Sequence, residues 1–148
     1  MFKTVVVGID GSEASEKALR TACDVAGKYG AEIHLVHTPQ PQTVAFATGA
    51  IAGYHAVTMM PSPQEVEAAT EKVIQGGIDI AKSCGQTITQ SHTAVGHPAD
   101  EIIACADGCG ADLIVTGRRG LGNFGALLLG STSLEISHNA KCAVLTVA

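Results

Sequence analysis

The chain has 148 residues, enough for a single domain over residues 1–148 that buries about two thirds of its unfolded surface without covalent staples. Hydrophobic residues make up 46% and charged ones 16%, which excludes a disordered chain. The net charge of −5 is spread out with no basic run, so nucleic acid is not an expected partner: phosphate backbones need clustered Lys and Arg.

The segment FKTVVVGID (2–10) is a short β-branched run ending in Gly-Asp-Gly, and predicts a strand buried on both faces. A helix follows, with Ser12 as N-cap, Glu13 and Glu16 at its positive end, and Gly30 as the stop. Its apolar positions read Ala14, Ala18, Ala22, Val25 and Tyr29, which predicts the buried face. AEIHLVH (31–37) is a second strand. The uncharged stretch 38–63 predicts a flexible flap or interface loop. Between its prolines it barely reaches the roughly 18–20 residues of a membrane span, is mostly Ala, Thr and Gly, and contains His55, so membrane insertion is not expected.

Ser62-Pro63-Gln64-Glu65 is a capping box with proline at the first helical position. Val66, Ala69, Val73, Gly77, Ile80 and Cys84 then mark a buried stripe, and Gly85 ends the helix. The Gly76-Gly77 pair inside it is either a weak point or a place of close backbone approach. A less apolar strand over 86–95 suits a sheet edge. Pro98, Asp100 and Glu101 open the next helix, which stops near Gly110. ADLIVTG (111–117) is a fourth strand, STSLEISHNA (131–140) a helix and CAVLTVA (142–148) a last strand. Alternation of this kind implies a mostly parallel sheet with right-handed crossovers and helices on both faces.

Five cysteines, at 23, 84, 105, 109 and 142, include no C-x-x-C pair, and each falls in an apolar-periodic segment. They are expected to be free thiols packed as small hydrophobes. Cys105 and Cys109 share a helix face, but no third metal ligand stands near them. Met59 and Met60 are expected to pack. The first strand begins at once, without a basic-then-apolar leader, and a reducing cytoplasm is the expected location.

In open α/β sheets, ligands bind beyond the carboxyl ends of the strands, where the strand order reverses. Two unusual sequences fall at such ends: Gly8-Ile9-Asp10-Gly11-Ser12, and the stretch GRRGLGNFGALLLGS from Gly117 to Ser131. Gly117 and Gly120 are spaced for a tight turn with backbone N–H groups facing an anion. Gly130-Ser131 starts a helix, whose free N–H groups, dipole and hydroxyl suit phosphate oxygens. Arg118 and Arg119 add positive charge to the same rim. The spacing G-x2-G-x9-G-S is neither a P-loop nor a dinucleotide fingerprint.

On these residues the chain resembles a universal stress protein of the nucleotide-binding type, over nearly its full length. Asp10-Gly11-Ser12, Val36-His37, Gly96-His97-Pro98 and the G-x2-G-x9-G-S spacing all match that family's pattern in order. The resemblance implies a sheet ordered 3-2-1-4-5 with ATP, or AMP or ADP, across the carboxyl ends of strands one and four. It implies Asp10 beside the adenosine and backbone near Gly8 and Thr38 lining the base pocket. Gly117, Arg118, Arg119 and Gly120 would hold ribose and phosphates, with Gly130, Ser131 and Thr132 on the phosphates. Mg²⁺ is the usual companion of a triphosphate. Lys141-Cys142-Ala143-Val144 departs from the family's Pro-Cys-Pro-Val turn, and the 38–63 flap is longer and more apolar than expected.

His37, His97 and His138 are not paired in sequence with a nucleophile or second base, and structural roles are expected for them. A phosphate cradle without an evident base predicts a binding and signalling protein with at most slow hydrolysis. Two other readings stand beside it. One is a ligand-free adaptor that uses the apolar flap to hold a protein partner. The other is an adenylate-transferring enzyme of the same fold group, whose S-G-G-x-D-S and H-x-G-H motifs do not occur here. The last strand, uncharged and without proline, is an unprotected sheet edge. It predicts a two-fold homodimer through strand five that buries Val144, Leu145 and Val147.

Overall fold

A computed structural model describes residues 1–47, 60–121 and 129–148. The strands are β1 (Thr4–Gly8), β2 (Glu32–His37), β3 (Ile88–Thr93), β4 (Leu113–Gly117) and β5 (Ala143–Val147). The helices are α1 (Glu13–Tyr29), α2 (Pro41–Ala47), α3 (Pro63–Ser83), α4 (Pro98–Cys109) and α5 (Ser131–Asn139). All strand pairings are parallel, in the order β3-β2-β1-β4-β5. Neighbours follow β1 on one side and β4 on the other, so the order reverses between these two strands, and a crevice opens past Gly8 and Gly117.

Alternation along the strands splits the core in two. Val5, Val7, Ile33, Leu35, Leu113 and Val115 face α1, α2 and α3. Val6, Val36 and Ile114 face Ala99, Ile102 and Ala106 of α4 and Ile136 of α5. Full burial on both faces is why β1 reads as an unbroken Val run.

The caps form as the residue types dictate. Ser12 accepts the Ser15 amide at the start of α1, and Ser62 and Glu65 complete a reciprocal capping box at α3. Gly30 and Gly110 end α1 and α4 in left-handed conformation, with φ of 67° and 64°.

Several expectations need correction. The buried face of α1 is Ser15, Ala18, Leu19, Ala22, Cys23 and Ala26; Ala14 and Val25 lie at its margin and Tyr29 is exposed. The smaller Ala and Cys side chains let α1 lie close to the sheet, and Tyr29 instead stacks edge-on against Phe2. The start of the expected flap, Pro41–Ala47, is helical and packs Thr43, Val44 and Ala47 inward, with Lys72 Nζ donating to the Ala47 carbonyl at 2.7 Å. Residues 48–59, including His55 and Met59, lie outside the described residues; Met60 is exposed rather than packed. Of the cysteines only Cys23 is fully buried; the other four are half-buried. Gly77 admits side chains rather than a backbone, because a Cβ there would lie 2.9 Å from Leu35 Cδ1 and 3.1 Å from Ile9 Cδ1. Among the described residues, no helix is long and apolar enough to cross a membrane.

Candidate functional site at the carboxyl ends of β1 and β4

The turn after β1 is held from below and from the side. The Ile9 amide donates to the Val36 carbonyl at 2.9 Å, and His37 Nδ1 lies 2.9 Å from the Ile9 carbonyl oxygen. With that oxygen as acceptor, Nδ1 carries the proton. His37 is buried, and desolvation pushes its pKa below 6.5 despite the opposing pull of the Ile9 carbonyl and the Asp10 charge. A neutral ring spent on one carbonyl is a tether, in line with the expected structural role.

Asp10 has a divided carboxylate. Oδ1 accepts the Ser12 amide at 2.9 Å and shapes the turn into α1. Oδ2 points at the glycine-rich loop: a Cβ built on Gly120 would lie only 2.5 Å from it. Asp10 and Gly120 are thus brought together across the crevice from β1 and β4, and a side chain at 120 would have to displace the Asp10 carboxylate.

The loop after β4 closes on itself. Arg118 donates its amide to the Val147 carbonyl, at 2.6 Å, and accepts the Gly130 amide on its own carbonyl at 2.7 Å. Gly117 is crowded from α1, since a Cβ there would meet the Ala14 carbonyl carbon at 2.8 Å and oxygen at 2.9 Å. Its carbonyl accepts Ser133 Oγ at 2.7 Å. The loop ends Gly117–Gly120 and Gly130–Ser131 therefore share one rim, whereas residues 122–128 between them lie outside the described residues.

At the start of α5, the N-cap Gly130 has no side chain to accept a first-turn amide, and the first intrahelical bond runs from the Leu134 amide to the Gly130 carbonyl. Among the described residues the amides of Ser131, Thr132 and Ser133 have no partner within the helix, which suits them to a ligand or water. Ser131 is exposed and Thr132 half-buried; the Arg118 and Arg119 side chains are exposed on the same rim.

Thr38, just past β2, is 6% exposed, and its hydroxyl has no hydrogen-bond partner among the described residues. Thr116, at the end of β4, has a second buried, unpaired hydroxyl, and its methyl lies 3.6 Å from where a Gly8 Cβ would be. Buried polar atoms are normally satisfied, so these hydroxyls, at the carboxyl ends of the two strands that flank β1, mark the crevice. Sequence reasoning missed Thr116, because an inward Thr in a buried strand carries no motif. Ser133 was missed too; its spacing from Gly117 means nothing until the loop closes. Gly8 needs the room for another reason: a Cβ there would strike Ile102 Cδ1 at 2.6 Å.

An open, doubly wound α/β protein with a loop-and-helix rim at its switch point belongs to the class that takes ligands in that crevice. The sequence model of the Universal stress protein family matches residues 1–148. The chain belongs to that family. It is 33% identical over 150 residues to a universal stress protein of Thermus aquaticus, covering 99% of each chain. It is 32% identical over 155 residues to universal stress protein YxiE of Bacillus subtilis, again with 99% of each covered. A universal stress protein solved in complex with cAMP superposes with a TM-score of 0.71 at 29% identity, over 99% of this chain and 97% of that one.

Proposed function

We propose that this protein binds an adenine nucleotide, ATP or AMP, across the carboxyl ends of β1 and β4, and works in the cytoplasm as a regulatory stress-response protein rather than a fast enzyme. The convergence of Asp10 on Gly120 carries the reading: a carboxylate able to take a ribose or adenine donor stands opposite a loop that glycine keeps clear. The uncapped first turn of α5 supplies N–H donors and a positive dipole end for phosphates. Arg118 and Arg119 add charge, and Mg²⁺ would accompany a triphosphate. The related protein solved with cAMP supports an adenine ligand. The unpaired Thr38 hydroxyl suits a base or ribose contact beside Gly8. At most slow hydrolysis is expected, because His37, the histidine beside Asp10, is committed to the Ile9 carbonyl.

Calorimetric titration of nucleotide-stripped protein with ATP, AMP and cAMP tests this. Saturable heat with at least one of them is expected, weakened by Ser131→Ala without unfolding. No heat from any of them near millimolar concentration would overturn the reading and favour a ligand-free adaptor.

A homodimer through β5 completes the proposal. β5 is an open edge, and Leu145 on it is 36% exposed. Val144 and Val147 instead pack against the two cores of the same chain, so charge at those positions would damage the fold. Leu145→Lys is the cleaner probe: light scattering should give a dimer for the wild type and a monomer for the variant. A wild-type monomer at micromolar concentration would show that the edge is left open.

A further inference from the structure

A second cluster of ligating side chains lies away from the Asp10–Gly120 rim, where α4 begins beside α5. His97 precedes α4 as its N-cap but makes no side-chain capping bond, so its ring is free of the task that position normally carries. The ring instead stands between two carboxylates from different helices. Nδ1 is 3.8 Å from Asp100 Oδ2, and Nε2 is 3.5 Å from Glu135 Oε2. Neither contact is among the hydrogen bonds formed by these residues, and one ligand atom from each of the three lies within 4.8 Å of the others. Among the described residues, neither carboxylate has a Lys or Arg ion-pair partner.

We propose that His97, Asp100 and Glu135 form a binding site for a divalent transition-metal ion of the Zn²⁺ class, which clamps the start of α4 to α5. The donor set decides the ion. One imidazole nitrogen with two carboxylate oxygens suits Zn²⁺ and its neighbours, whereas Mg²⁺ and Ca²⁺ favour oxygen alone. Two carboxylates and a neutral ring match a dication in charge, and they outweigh the positive helix end that α4 presents there. Zinc–ligand bonds of about 2.0–2.2 Å require the three groups to draw together. They are free to do so, because the side chains are 52%, 73% and 40% exposed and both acids turn about their own torsions. Three protein ligands leave at least one position open to water. Glu135 lies one turn beyond Ser131 on the same face of α5, so a bound ion braces the helix whose first turn faces the crevice.

This site is independent of nucleotide binding, and its test uses nucleotide-free, full-length protein. Zn²⁺ binding by calorimetry and Co²⁺ binding by visible absorption should each show one saturable site in the wild type, with excess Mg²⁺ failing to compete. Glu135→Gln and His97→Ser should each weaken binding by about tenfold or more. Serine is a good N-cap, so the second change leaves the start of α4 intact. His138→Gln, on α5 outside the cluster, should bind as the wild type does. Zn²⁺ should raise the melting temperature of wild type and His138→Gln but not of the other two. No saturable binding, or binding that survives both His97→Ser and Glu135→Gln, would overturn the proposal.

Discussion

The two rims of the sheet use glycine for opposite reasons. At the amino rim, Gly30 and Gly110 are needed for their left-handed φ, and nothing lies within 4 Å of where their Cβ atoms would be. At the carboxyl rim, Gly117 and Gly120 have no positive φ, yet a Cβ on either would collide with Ala14 or Asp10. The pins differ as well. Asp112 Oδ2 accepts the Lys3 and Thr4 amides at 2.8 and 3.1 Å, and further backbone bonds join the starts of β1, β2 and β4. The carboxyl rim is tied by His37 to the Ile9 carbonyl, by Ser133 to the Gly117 carbonyl and by the Arg118–Val147 and Gly130–Arg118 backbone bonds, yet the buried hydroxyls of Thr38 and Thr116 have no partner among the described residues.

The largest effect is expected from Gly117→Ala. The new methyl meets main-chain atoms of Ala14, so α1 must move off β4, at a cost of about 3 kcal/mol in denaturant unfolding. Nucleotide titration should fail in the same variant. A stability within experimental error of wild type would show that α1 yields easily and that the close approach is incidental.

Gly120→Ala sharpens the contrast, because only the Asp10 carboxylate blocks it. It should cost about 1–2 kcal/mol and abolish nucleotide heat, and the double change with Asp10→Ala should cost no more stability than Asp10→Ala alone, without restoring the binding. Recovery of the binding would remove Asp10 from the site.

Gly30→Ala is the amino-rim control. Placing a Cβ at φ 67° costs about 1 kcal/mol, with no collision and no change in nucleotide affinity. A lost affinity here would mean that the rims are coupled.

The smallest and most local effect is with pH. His37 is held below 6.5 by burial, so its contribution is full above 6.5 and is lost as pH falls through the lowered native value, where the unfolded chain binds a proton the native ring refuses. Asp112 is held below 3.8, chiefly by the Lys3 and Thr4 amides, so its contribution is full above 3.8 and goes only as pH falls through that still lower value. Amide NMR during acidification should show changes around Ile9 before those at Lys3 and Thr4. The reverse order would break the assignment of these two pins.

Much of this molecule was legible from local signals. Ser12, Ser62-Glu65, Pro98 and Gly110 mark helix ends through bonds made within a few residues, and the Val run of β1 announces burial on both sides. The resemblance carried by Asp10-Gly11-Ser12 and the G-x2-G-x9-G-S spacing anticipated the family and the strand order. What local pattern reports poorly is orientation. Apolar period set the face of α1 one position away, because small Ala and Cys residues, not the larger Val25 and Tyr29, let that helix approach the sheet. Tertiary structure alone decided which distant groups meet: Asp10 with Gly120, Gly117 with Ala14 and Ser133, and His97 with Glu135. Helix starts and strand periods arise from bonds a few residues long, so sequence by itself determines them. Contacts between residues a hundred positions apart arise from how two crossovers lay their chain ends on one rim, which only the packed sheet decides.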